Sequence, residues 1–495
     1  MHAMSKRSNL ILLTAAITGC AAVHADDEPI GNTALHAHPT MAGTLEVMDA
    51  WLEGVQRYEQ VPGMSVGLVR GDDLVWNRGY GVSNRESGRP ADASTLYSIC
   101  SISKLFTSIA VMQLRDAERL TLRDPVSEHL DWFDIEQSHS EGGPITVRSL
   151  LTHSSGLPRE SDFPYWVGPE FPFPTRDAVM DRLRDQHTLY PADTVFQYSN
   201  LALTLAGEVV ATLTGEPFAD YVQARILEPL GLDDTRPYYP EELRGEALAI
   251  GYSGMDRSGE RSEVPPFFTR GITPAAGFTS SVSDLAKFAS WQFALLDRAA
   301  AEPAASVLDP NTLREMHRVH WVNPDWKTTW GLGFRVERVD DMTVVEHGGA
   351  CPGYITHFAM VPKDRIAAIA LTNAGDGPAK NVAHNLLKTY RIALGKARSP
   401  TEETPPDFSA FEGNYEVYPW GGEIAVRQRG GHLVLVNLPT DDLNGALTRL
   451  KHVADNRFVR LTDDDEEREP WEFEFDDKGP AARIRVHSIY WSRIP

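Results

Sequence analysis

Strand-like segments flank a long helical stretch in the first four hundred residues, and that arrangement limits the fold more than any other feature of the chain. Residues 64–69 and 74–82 read as two strands joined by Gly71-Asp72-Asp73, a hairpin signal. Strand patterns then return only late, at 343–346, 356–361 and 366–372. Between these two sets, roughly over 105–300, apolar residues recur at helical spacing broken by Pro and Gly. Leu45, Met48, Trp51, Leu52 and Val55 make one face of a helix ahead of the hairpin, and Val382, Leu386 and Leu387 make another after the last strand. The economical solution is an α+β fold: one antiparallel sheet assembled from both ends, helices packed on it, and a helical lobe inserted.

A second boundary falls near residue 400. The stretch 396–407 holds three prolines and two glutamates with no apolar run, which predicts a linker. Beyond it the pattern changes to alternation at 424–426, 433–436, 471–475 and 484–490, with turns at Gly430-Gly431 and Asp477-Lys478-Gly479. A small all-β domain over 408–495, a partly closed barrel, is expected, separate from a body over 44–395. The acidic run 463–467 is expected to be a solvated turn.

The formal net charge of −22 argues against nucleic acid or an anionic membrane as partner, since both demand clustered Lys and Arg. At the N-terminus Lys6 and Arg7 precede a short apolar stretch, 10–17, followed by small residues, the layout of a secretory signal. Two cleavage readings stand side by side. Ile17-Thr18-Gly19-Cys20 resembles a lipobox, which would tether the protein to a membrane through Cys20; Val23-His24-Ala25 fits ordinary cleavage before Asp26. Either makes the chain exported, periplasmic or membrane-anchored, with 26–43 as a polar tether. Cys100 and Cys351 are then left as a bridged pair or as two small buried hydrophobes, the second being the expectation. No Cys pair or HExxH has metal-ligand spacing, and His317 and His320 lack a third partner nearby, so neither a metal nor a cofactor is expected.

Three short motifs carry chemistry. In Ser101-Ile102-Ser103-Lys104 the serine opens a helix, where the macrodipole favours a developing alkoxide, and Lys104 follows one turn deeper on the same face. A desolvated lysine there can act as a base at neutral pH. In Tyr198-Ser199-Asn200 the phenol can shuttle protons and the amide of Asn200 can hold a lysine or a substrate carbonyl. In Glu346-His347-Gly348-Gly349-Ala350, at a strand end, Gly348 and Gly349 admit a substrate backbone to the strand edge, and the Ala350 amide can join that of Ser101 in an oxyanion hole. Each motif alone has an ordinary structural explanation. Their order and their settings, helix start, loop and strand end, give them weight together.

The constellation resembles the serine β-lactamase and penicillin-binding superfamily, most closely its class C-like branch, over residues 44–395. The runs 145–158, 277–281 and 330–334 resemble that branch as well. The resemblance implies Ser101 as acyl-enzyme nucleophile, Lys104 as its activator, Tyr198 as general base and then acid, and Asn200 as an orienting group. His347 stands where many β-lactamases carry a lysine, and Gly348 where they carry a threonine; a mostly neutral histidine holds a β-lactam carboxylate less well. The expected activity is hydrolysis of an ester or amide, D-amino-acid peptides and β-lactams included, with esters and peptides ahead of β-lactams. A penicillin-binding or sensing protein that does not turn over, or an envelope protein that binds cell wall, is the alternative. Trp166, Phe171 and Tyr354 are candidate pocket aromatics, although such residues more often pack in a core or rim.

Overall fold

A computed structural model describes residues 31–139, 142–161, 164–298, 307–397, 405–477 and 479–495; the signal segment and Cys20 lie outside the described residues. Two helices come first, α1 (Asn32–Ala37) and α2 (Pro39–Tyr58). Pro39 takes the first helical position, where a missing N–H costs nothing, and His38 Nδ1 accepts the Thr40 N–H at 3.2 Å. The tether expected up to residue 43 is therefore helical from Asn32 onward, because Leu35 and Met41 find apolar cover. The hairpin follows as β1 (Gly63–Arg70) and β2 (Asp73–Asn84), edged by β3 (Arg89–Pro90).

The helical lobe begins after β4 (Tyr97–Ser98) with a single tight turn, Cys100–Ile102, that feeds α3 (Ser103–Asp116). It continues through α4 (Val147–Leu151), α5 (Arg176–Leu183), α6 (Asn200–Thr214), α7 (Phe218–Val222) and α8 (Thr273–Ala276). The chain returns along β5 (Thr279–Ser280), which pairs with β4, and then forms α9 (Val282–Asp297) and α10 (Pro310–Met316). Two short strands, β6 (Trp321–Val322) and β7 (Thr329–Trp330), precede β8 (Arg335–Val339), β9 (Met342–Cys351), β10 (Tyr354–Val361) and β11 (Ile366–Thr372). The amphipathic α11 (Ala379–Ala397) closes this part and takes up residues 396 and 397 of the expected linker.

The sheet runs β3-β2-β1-β11-β10-β9-β8-β7-β6 and joins the two ends of the body at β1 and β11, with Met64 opposite Thr372 and Arg70 opposite Ile366. Strand β11 is buried on both faces, which is why its sequence does not alternate in polarity. Ile369 and Leu371 face the core of the helical lobe, while Ala368 and Ala370 face α2 and α11.

The tail forms a closed barrel of β12 (Gly413–Glu416), β13 (Glu423–Arg429), β14 (His432–Leu438), β15 (Leu447–Ala454), β16 (Arg457–Leu461), β17 (Glu467–Glu474), β18 (Arg483–Val486) and β19 (Ile489–Ile494). Closure is complete rather than partial: β12 pairs back to β19, Asn414 opposite Ile494. The run 484–490 is two strands, because the chain reverses at His487, which sits at a positive φ of 54°. Ile424, Val426, Leu433 and Leu435 fill the barrel, whereas Ala425, Val434, Val436 and Leu438 point outward into the core shared with α2 and α11. Trp51 Nε1–H donates to Thr440 O at 2.9 Å across that junction.

Candidate active site

Ser101 lies in the tight turn at the start of α3, and Cys100 before it adopts φ 52°, which presents the serine to an adjoining cavity. The turn is held by Ser103 Oγ, which donates to Cys100 O at 2.5 Å and accepts the Phe278 N–H at 3.0 Å. Lys104, in the first turn of α3, is wholly buried. Its Nζ lies 3.0 Å from Ser101 Oγ, 2.8 Å from Asn200 Oδ1 and 2.7 Å from Ala275 O. Burial drives its pKa well below that of a free lysine, and the Arg159 charge adds to this while Glu160 opposes it. In the neutral form the amine has two N–H groups for the two oxygens that can only accept. Its lone pair is then left for the Ser101 hydroxyl.

Ser199 caps α6, its Oγ accepting the Ala202 N–H at 2.9 Å, so Asn200 is the first helical residue and its amide points at Lys104. The Asn200 Nδ2–H donates to Glu160 Oε1 at 2.7 Å, which fixes the amide orientation. Tyr198 borders the same cavity as Ser101, and its ring lies 4.9 Å from Lys104 Nζ and 5.1 Å from the Arg159 guanidinium. Burial raises the phenol pKa; the neighbouring Ser101 hydroxyl and the Arg159 charge only partly offset it. The resting group is a phenol.

His347 lies on β9 with its ring 6.3 Å from that of Tyr198 and 5.6 Å from that of Trp330. Burial, and then the Lys104 charge, hold its pKa down to about 3, so the imidazole is neutral across the physiological range. Its Nδ1 lies 2.6 Å from Gly348 O, which makes Nδ1–H the donor and leaves Nε2 as an acceptor. Gly349 allows the strand to run against the nucleophile turn: a Cβ there would stand 2.2 Å from Ile99 O. Ser101 and Ala350 both border the resulting cavity of about 520 Å³.

Cys100 and Cys351 are joined by a disulfide, with Cα atoms 5.8 Å apart, so the expectation of two unpaired buried thiols is corrected. Close approach of β9 to the turn puts the two side chains together, a juxtaposition that 251 residues of sequence separation hid. The bridge ties the residue before Ser101 to the residue after Ala350.

Several contributors escaped the sequence reading. Glu160 also accepts from Tyr165 Oη and lies 3.3 Å from Arg159 Nε. His153, fully buried, accepts the Ser199 N–H at Nδ1 and stacks 4.2 Å from the Tyr198 ring. The cavity aromatics are Phe196, Tyr198 and Trp330. Trp166 and Phe171 instead pack with Phe173 and Phe267, and Tyr354 is buried with its hydroxyl on Ala249 O. His153 and Trp330 fall within the runs that resemble the class C-like branch; nothing in spacing pointed to Glu160.

Residues 48–390 match the Beta-lactamase family, and residues 397–492 match a domain of unknown function, DUF3471. An "Unguisins hydrolase ungD'" of Aspergillus campestris is 27% identical over 66% of the chain, which spans 60% of that relative's length. "Penicillin-binding protein 4" of Amycolatopsis lactamdurans is 25% identical over 74% of this chain and 95% of its own. Among solved structures, the octameric penicillin-binding protein homologue from Pyrococcus abyssi superposes with a TM-score of 0.61 at 23% identity, over 90% of this chain and 99% of that one. The chain belongs to the Beta-lactamase family and carries a C-terminal β-barrel.

Proposed function

We propose that the protein is an exported hydrolase that forms an acyl-enzyme on Ser101 from ester or amide substrates with an uncharged acyl group. The observation that carries this is the Lys104 amine, buried, deprived of a carboxylate contact and 3.0 Å from Ser101 Oγ. Lys104 takes the Ser101 proton as Oγ attacks the carbonyl carbon. The oxyanion is received by the amides of Ser101 and Ala350, and Tyr198 donates a proton to the departing alcohol or amine. Water then attacks the acyl-enzyme, its proton passing back through the same two groups, and the acid leaves with Ser101 restored.

Preference against β-lactams rests on His347. A neutral imidazole offering an acceptor at Nε2 gives a substrate carboxylate no charge to meet. The Cys100–Cys351 bridge supports an oxidising compartment, and so supports export; tethering through Cys20 belongs to the same proposal.

The test is steady-state hydrolysis of a short-chain p-nitrophenyl ester by protein starting at Asp26, beside Ser101→Ala and a chromogenic cephalosporin. Ester turnover abolished in the variant, with little cephalosporin cleavage, is the expected result. Equal rates in both proteins remove Ser101 from the reaction, and a stoichiometric burst without turnover makes the chain a sensor.

A further inference from the structure

Behind the strand that carries His347 sits a second cluster of polar side chains that the hydrolase chemistry does not use. Successive strand residues face opposite sides of a sheet, so Glu346 turns away from Ser101, toward α11. There Glu346 Oε2 lies 3.1 Å from His357 Nε2 and 2.6 Å from His384 Nε2. Glu346 is fully buried, His357 nearly so, and His384 about one-fifth exposed. Gly348 makes room for the arrangement, since a Cβ there would stand 3.0 Å from His357 Nδ1. Glu337 Oε1 lies 3.9 Å from His384 Nε2 on the neighbouring strand β8. Lys380 Nζ bridges the two carboxylates, 2.9 Å from Glu337 Oε1 and 3.3 Å from Glu346 Oε1, while Glu346 Oε1 makes no hydrogen bond.

We propose that Glu346, His357 and His384, with Glu337 as fourth ligand, form a binding site for a divalent transition-metal ion of the zinc class. One ligand atom from each of the first three already lies within 4.8 Å of the others. A tetrahedral ion at about 2.0–2.2 Å from imidazole nitrogen and carboxylate oxygen spaces its ligands at roughly 3.4 Å, so Glu346 Oε2 moves from each imidazole nitrogen by less than about 1 Å to receive it. Two imidazoles with carboxylates suit zinc and its neighbours and disfavour calcium and magnesium, which take oxygen. Lys380, a little under half exposed, and Arg335, whose Nε lies 3.7 Å from Glu346 Oε1 and which also pairs with Glu337, supply the positive charge that the ion would replace, and Lys380 can swing to solvent. Entry is open from the α11 side, where His384 is about one-fifth exposed and Lys380 a little under half exposed. The ligands come from β8, β9, β10 and α11, which is why no short sequence spacing announced them. The ion would bolt α11 to the strand that presents His347 and Ala350, a structural role that stands whether or not the hydrolase proposal does.

The experiment is zinc uptake by the full chain after chelator treatment, read by elemental analysis and by titration calorimetry without substrate. One equivalent of Zn²⁺ with micromolar or tighter affinity is expected. His384→Asn, on the outer side of the cluster, should weaken binding about 100-fold, the loss of one strong ligand, or about 2.8 kcal/mol at 1.4 kcal/mol per decade. Glu346→Gln should do the same, and Lys380→Met should tighten binding about tenfold by removing the competing cation. Should Glu346→Gln misfold, the variants of His384 and Lys380, the two more exposed members of the cluster, still decide. The proposal is overturned by no saturable uptake, by uptake that His384→Asn leaves unchanged, or by weaker binding in Lys380→Met.

Discussion

At the scale of single residues the weightiest fact is that Lys104 is buried with no carboxylate to pair with among the described residues. A charged amine in that position pays a desolvation cost that three neutral oxygens repay only in part. Replacing it by methionine keeps the volume and removes that cost. Lys104→Met should lower ester kcat/KM by about 10²–10⁴-fold, the usual contribution of a positioned base, while leaving the melting temperature unchanged or higher. The sign of the pH dependence follows from the same shift. The proposed mechanism needs the neutral amine, so activity should fall as pH drops through the Lys104 pKa, which lies well below the ordinary lysine value. Glu160 favours the charged form, so Glu160→Gln should move that acidic limb to lower pH; a limb that stays in place, measured as log kcat/KM against pH, assigns it to another group. These residues differed in how far the sequence exposed them. Ser101, Lys104, Tyr198 and Asn200 were legible because helix starts and short motifs are local. Glu160 was not, because its role lies in two hydrogen bonds made across a loop.

At the scale of elements, β9 is the piece on which the site depends. It passes close enough to the Cys100–Ile102 turn for Gly349 to touch Ile99, and the disulfide locks that approach. Gly349→Ala should force the two apart and cost about 1–3 kcal/mol with a matching loss of activity, read by denaturant unfolding and ester hydrolysis on the same sample. The bridge closes a very long loop, so Cys100→Ser with Cys351→Ser should cost about 2–5 kcal/mol, and reductant should lower the wild-type melting temperature toward that of the variant. An unchanged melting temperature under full reduction would mean that β9 packing alone holds the turn. The strands themselves were readable from short apolar runs, and all three late ones appear near their expected places, as β9, β10 and β11. Contacts between β9 and the turn were not readable, since pairing partners separated by hundreds of residues leave no periodic trace. In the barrel, β12, β15 and β16 escaped detection because their apolar alternation is interrupted: β15 carries Arg449, Lys451 and His452, and β12 is four residues long.

At the scale of the whole molecule, the barrel is not an appendage. Strand β14 buries both faces, Leu433 and Leu435 inside the barrel and Val434, Val436 and Leu438 against the core that α2 and α11 share with the sheet. Leu438 lies so close to α2 that a Cβ on Gly54 would meet its methyl groups at 2.9 Å. A linker rich in Pro and Glu suggested two independent units, because composition reports on the connection and not on the surfaces it brings together. If the outward face of the barrel is part of the main core, heat should unfold the full chain in one transition, with secondary structure and esterase activity lost together. Leu438→Asp places a carboxylate without a partner in that junction, which costs several kcal/mol, on the order of 2–7, however well the barrel interior is preserved. The expected outcome is a lower single transition in which activity still disappears at the same temperature as ellipticity. Loss of ellipticity from the barrel at one temperature, with Ser101-dependent hydrolysis surviving to the wild-type temperature, would show instead that the body stands without it.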